Sequence, residues 1–177
     1  MAQRTPLVKR LLLAGVILAC AWAGSVRVLS QALDEGQAKA AFLFNVAKFV
    51  EWPGAAPGPL VIGIAGDDRL ADMVEAAVKG RTLDGRAIAV RRLLHTDDPA
   101  GCHMLFIAPA RQRQDAELLQ RIQGPVLTVG ETVQFLRDGG LVRLHIDNKR
   151  VRFQINAKAA AAAGLRVHAQ LLALAAP

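Results

Sequence analysis

KAAFLFNVAKFVEWP, residues 39–53, gathers Phe42, Phe44, Phe49 and Trp52, four of the eight phenylalanines and tryptophans in a chain of 177 residues. Apolar groups recur at Ala38, Ala41, Phe42, Phe49 and Val50, and along a second line at Phe42, Val46 and Phe49, a spacing that predicts a helix with a wide buried face. Leu43 and Phe44 fall partly outside that face, so the helix is apolar almost all round. Such a helix is either sandwiched in a core or turns its second face to a partner. Pro53 is expected to stop it, through its missing N–H and its ring clash.

The chain before this helix reads as a targeting segment. Arg4, Lys9 and Arg10 precede the apolar run from Leu11 to Ala23, and small and polar residues follow. That run is shorter than the ~20 residues a membrane-spanning helix needs. Its order of positive start, short apolar stretch and small-residue exit predicts a secretory signal peptide over 1–32, cleaved after Ser30-Gln31-Ala32, with Ala21-Trp22-Ala23 as a second site. An uncleaved anchor and a lipoprotein acylated at Cys20 are the alternatives. Cleavage leaves residues 33–177 as one domain with no membrane insertion of its own. It also changes the charge argument. The full chain is +7, but Arg4, Lys9, Arg10 and Arg27 leave while every acidic residue lies at or after Asp34, so 18 basic residues face 15 acidic ones. Nothing in that balance asks for nucleic acid.

Beyond Pro53 the pattern alternates. Leu60–Ile64, Ile88–Val90, Met104–Ala108 and Val126–Val129 are short apolar runs with the look of strands buried on both faces. Between them, Arg69–Lys79 and Gln112–Gln123 predict amphipathic helices, the first capped by Asp67 or Asp68. A short helix over Thr132–Leu136 is expected to turn Val133 and Leu136 inward. Leu141–Ile146 and Val151–Ile155 predict a hairpin around Asp147-Asn148-Lys149-Arg150. Asn156 caps an alanine helix, Ala157–Ala163, which Gly164 ends. The final apolar segment from Leu165 to Leu174 either seals the core or docks on a second copy. The fold class that follows is α/β: a single-domain three-layer α/β sandwich with a mixed, largely parallel sheet.

The chemistry-bearing residues form no catalytic pattern. Gly63-Ile64-Ala65-Gly66 is only a GxxG after a strand, and serine occurs only at Ser25 and Ser30, ahead of the expected mature start. His95, His103, His145 and His168 lack metal spacing. Asp97-Asp98 before Pro99 reads as a loop and not as an acid/base dyad. Cys102 reads as a small residue opening a core strand, with a redox thiol as the minority reading; it makes no catalytic pair with His103, because neighbours on a strand point apart. Arg91, Arg92, Arg150 and Arg152 are candidates to line an anion-binding cleft, against the plainer reading of solvated basic residues. No catalytic residue, metal ligand or cofactor is expected, and a binding or regulatory domain is.

Residues 39–53 resemble the opening helix of the YfiR family. The resemblance continues through Gly101–Ile107, Pro125–Val129, Gly139-Gly140, Val151–Asn156, Ala162–Leu165 and Leu171–Ala175, in family order from about residue 37 to the C-terminus. It implies a periplasmic dimer that binds the periplasmic sensor region of an inner-membrane diguanylate cyclase and represses it, lowering cyclic di-GMP and biofilm formation. Phe44, Val46 and Trp52 are then candidates for the partner or dimer surface. Better-known members carry further cysteines in intramolecular disulfides. Cys102 matches one such position, but with Cys20 in the leader it has no partner here. The alternative from another class is a periplasmic small-ligand domain feeding a sensor kinase.

Overall fold

Apolar runs that must be covered on two faces order this domain. The structure is a computed structural model that describes residues 35–109, 112–148 and 150–175; the expected signal peptide lies outside the described residues. In chain order the elements are α1 (residues 35–47), β1 (Val50–Glu51), β2 (Leu60–Ala65), α2 (Asp68–Val78), β3 (Thr82–Leu83), β4 (Arg86–Leu93), β5 (Met104–Ile107), α3 (Gln112–Arg121), β6 (Leu127–Gly130), α4 (Val133–Arg137), β7 (Val142–Asp147), β8 (Arg150–Ile155), α5 (Ala157–Ala162), β9 (Arg166–Val167) and α6 (Ala169–Leu174). Seven strands form one sheet in the order β3-β4-β2-β5-β6-β7-β8, parallel from β4 to β7 and antiparallel at both edges. The expected α/β fold with a mixed, largely parallel sheet is what the chain forms.

Strand alternation splits the core into two clusters. On β5, Met104 and Phe106 join Leu43, Ile62, Val74 and Leu144 in a broad cluster to which α1, α2, α5 and α6 contribute. Leu105 and Ile107 point the other way, to Leu118 of α3 and Phe135 of α4, in a narrow cluster. A period of two makes this division obligatory once the strand is covered on both sides.

Two local expectations need correcting. The first helix ends at residue 47, well before Pro53. Its last turn tightens as Lys48 N–H donates to Asn45 O and Phe49 N–H to Val46 O. The chain then extends so that Val50, 2% exposed, pairs with Val167, and Glu51 with Arg166. β-branched Val50 suits this extended backbone, and Pro53 needs an extended residue before it. Leu83-Asp84-Gly85, a turn by its sequence, is also one in the structure, the tip of a β3–β4 hairpin with Asp84 at φ 49° and Gly85 at φ 76° as the paired left-handed residues of a two-residue loop. In α4, Val133 is 50% exposed and Phe135, at 2%, is the residue that enters the core. Gly130 and Gly140 make room for it: a Cβ on Gly130 would stand 2.5 Å from the Phe135 ring.

The caps expected at Asp67 and Asn156 form, and Thr132, expected inside its helix, caps it instead. Asp67 Oδ1 accepts from Leu70 N–H at 2.9 Å, Thr132 Oγ1 from Phe135 N–H at 3.1 Å, and Asn156 Oδ1 from Ala159 N–H at 3.0 Å. Leu165 and Leu171 seal the broad cluster, whereas Leu172 and Leu174 face outward.

Candidate functional site

The strand order sets where a ligand would be looked for. From β2 the chain crosses to β4 on one side, and the following strand, β5, lies on the other, so the carboxyl ends of β2 and β5 flank the switch point where doubly wound sheets hold ligands. In this chain a side chain fills that crevice. The His95 ring lies against Gly66, where any Cβ would overlap it, and Nε2 stands 3.0 Å from Ala108 O and 3.5 Å from the buried Asp115 carboxylate. Arg121 of α3 donates to Thr96 O at 2.6 Å and to His95 O, holding the loop that carries the imidazole. The neighbouring start of α2, an anion site in many such folds, is capped by Asp67 and carries Asp68 in its first turn.

At the opposite end of the parallel strands, Arg86 holds the loop before β2, with His103 and Trp52 linked beside it. Arg86 donates through Nε to Gly58 O at 2.8 Å and through Nη2 to Pro59 O at 3.2 Å and Ala56 O at 3.4 Å. The same Nη2 lies 2.9 Å from His103 Nε2, while Val61 N–H donates to His103 Nδ1 at 3.1 Å. Trp52 Nε1 donates to His103 O at 2.7 Å, and its ring meets the imidazole edge-on at 6.3 Å. Burial, and then the Arg86 charge, push the His103 pKa below the ordinary histidine value.

The residues singled out from sequence are not gathered into one site. Phe44 and Val46 are 5% and 2% exposed in the broad cluster, with Lys48 and Arg81 over the Phe44 ring at 4.2 and 4.9 Å; Trp52 is half-buried and keeps accessible surface. The four arginines do not line one cleft. Arg91 and Arg92 lie on β4 and Arg150 and Arg152 on β8, with β2, β5, β6 and β7 between, about 24 Å at the usual strand spacing. Arg91 and Arg92 also point to opposite faces. Arg91 donates to Ala100 O at 2.7 Å, whereas Arg92 reaches α2, to Asp72 at 2.8 Å and Glu75 at 2.9 Å. Cys102 is buried in the narrow cluster, its partners separate from those of His103. Burial raises its thiol pKa, Asp98 adds to this and Arg91 opposes it, so the thiolate that redox chemistry needs is disfavoured. His168 Nε2 meets Glu51 at 3.2 Å beside the β1–β9 pair.

Arg86 and His95 went unremarked as site residues because each works at a distance. The carbonyls that Arg86 holds lie 27 to 30 positions upstream, and only the fold brings them together. The local sign for His95 was Gly66, a glycine at φ 80° just after an apolar strand, which marks a close approach without naming what approaches.

These features define an α/β domain of doubly wound type whose ligand crevice is filled by its own imidazole. Among the described residues no group of three or more His, Cys, Asp or Glu is placed to hold a metal, and no helix is long and apolar enough to cross a membrane. The YfiR/HmsC-like family model matches residues 36–176, and the chain belongs to that family. Its members are periplasmic regulators of diguanylate cyclase signalling and not enzymes.

Proposed function

We propose that this protein is exported by its N-terminal signal peptide, works in the periplasm as a homodimer, and binds and represses the periplasmic sensor region of an inner-membrane diguanylate cyclase, lowering cyclic di-GMP and biofilm formation. The observation that carries this reading is the family match, which spans the whole domain from residue 36 to 176. Repression needs no chemistry. A protein that binds the inactive cyclase more tightly than the active one by about 1.4 kcal/mol shifts the balance tenfold.

The alternative, a small-ligand domain feeding a sensor kinase, is weakened by His95, which a ligand at the switch point would have to displace. Trp52 remains a docking candidate because it keeps accessible surface, whereas Phe44 and Val46, expected beside it, are buried in the broad cluster and serve the packing of α1. Arg150 and Arg152, exposed on the edge strand β8, are available to an acidic partner surface. In-cell crosslinking of the tagged protein tests the proposal. Recovery of a diguanylate cyclase, together with higher cyclic di-GMP on deletion, is the expected result. Recovery of a sensor kinase, with cyclic di-GMP unchanged, overturns it.

A further inference from the structure

We propose that Arg86 and His103 form a proton-operated clasp on the loop of residues 53–59, closed near neutral pH and opened by mild acid. The inference rests on the protein's own geometry and stands whatever partner the domain binds.

Both nitrogens of the His103 ring face donors. Val61 N–H points at Nδ1 from 3.1 Å and Arg86 Nη2 lies 2.9 Å from Nε2. A neutral imidazole has one acceptor nitrogen and one N–H, so it satisfies one of these donors and opposes the other. A second ring proton would leave both nitrogens opposing donors and set an imidazolium against a guanidinium. Among the described residues Arg86 is the charged group that faces the ring. Val61 of β2, Leu127 of β6 (whose N–H donates to His103 O at 2.9 Å) and Trp52 bring no titratable group that would offset the new charge.

Relief comes from the partner that is free to move. Val61 N–H is fixed in β2, but Arg86 is a long side chain whose guanidinium is held by three loop carbonyls and the imidazole. When His103 takes a proton, Arg86 swings out and leaves Ala56 O, Gly58 O and Pro59 O without it. Trp52 stands at the near end of the same loop and donates to the same residue, His103. Opening therefore changes the exposure of an indole that closure keeps half-buried. The depressed histidine pKa agrees in direction: the closed clasp binds protons more weakly than the open one, so acid favours opening. The open population rises by up to about tenfold for each pH unit below the ~6.5 of a free imidazole.

The measurement uses Trp22→Phe protein, in which Trp52 is the remaining tryptophan. Acrylamide quenching of its fluorescence is followed from pH 7.5 to 5.0 beside far-UV circular dichroism. Quenching that rises severalfold while the dichroism holds, and that becomes flat in Trp22→Phe/His103→Gln, is the expected result. A quenching curve that is flat in the parent, that persists unchanged in the His103→Gln background, or that moves only with loss of secondary structure overturns the clasp. Should the glutamine variant fail to fold, the parent's histidine ring signals decide by NMR. The clasp requires one imidazole to titrate below the ordinary range together with the Gly58 and Val61 amides, and separate titrations reject it.

Discussion

On the broad face of the sheet, strands from β4 across to β8 turn apolar side chains inward, ending with Val151, Phe153 and Ile155 on the edge strand. On the narrow face the apolar surface stops at β6. There β7 and β8 present Arg143, His145, Arg150, Arg152 and Gln154, and Arg143 Nη1 donates to Gln154 Oε1 across the pair at 3.0 Å. Two helices cover the middle of the narrow face, while α1, α2, α5 and α6 contribute to the other. The difference shows that stability and surface chemistry are divided between the faces: one is sealed across its width, and the other leaves a polar margin beside a small core.

That division is tested first by matched truncations. Leu144→Ala on the broad face and Leu105→Ala on the narrow face remove the same atoms from fully buried sites. Losses of about 2–5 kcal/mol are usual for such changes. Leu144→Ala should fall near the top of that range and Leu105→Ala near the bottom, read as midpoints of denaturant unfolding. Equal or reversed losses would erase the contrast.

A smaller effect probes packing at Gly63. A Cβ there would stand 2.7 Å from Cys102 Sγ, 2.8 Å from Leu105 Cδ1 and 3.0 Å from Leu93 Cδ1. Gly63→Ala should cost about 1–3 kcal/mol by overpacking, and Cys102→Ala should recover part of that loss in the double variant. Strict additivity in the cycle would mean that the thiol is not what holds this position to glycine.

Next comes the cap of the alanine helix that flanks the broad cluster. Asn156→Ala removes the acceptor for Ala159 N–H and should lower stability by about 1 kcal/mol, visible as a reduced melting temperature. The smallest effect at neutral pH is that of His103. Its depressed pKa means the unfolded chain binds the proton more readily. The penalty is absent above the unfolded value of ~6.5, grows as the pH falls below it and is complete below the folded pKa. Stability measured from pH 7.5 downward should therefore decline less steeply in His103→Gln. Parallel curves for the two proteins would count against this.

The sequence made the sealed face more legible than the rest. Leu60–Ile64 and Met104–Ala108 read as strands because both faces are covered, and Asp67 and Asn156 announce their helices through capping chemistry. The end of α1 was hidden because Phe49 and Val50 continue the apolar spacing of the helix while belonging to a turn and a strand. The orientation of α4 turns on a single ring that fits between Gly130 and Gly140, a relation across a strand and a loop. The arginine cleft failed for a related reason: adjacency in sequence says nothing of strand order, and β4 and β8 end up near opposite edges. Arg86 and His95 depend on partners that only the tertiary fold brings near.

The two-stranded pairing of β1 with β9 also bears on how the domain comes to be made. Val50 lies near the start of the domain and Val167 near its end, and His168 N–H donates to Phe49 O beside them at 2.9 Å. Contacts so distant in sequence form slowly, because almost the whole chain must be ordered between them. Until residues 165–171 arrive, the broad cluster that α1 joins lacks Leu165 and Leu171. A chain made from its N-terminus would thus stay unfinished until residues 165–171 emerge, and the β1–β9 pairing is the closure that comes last.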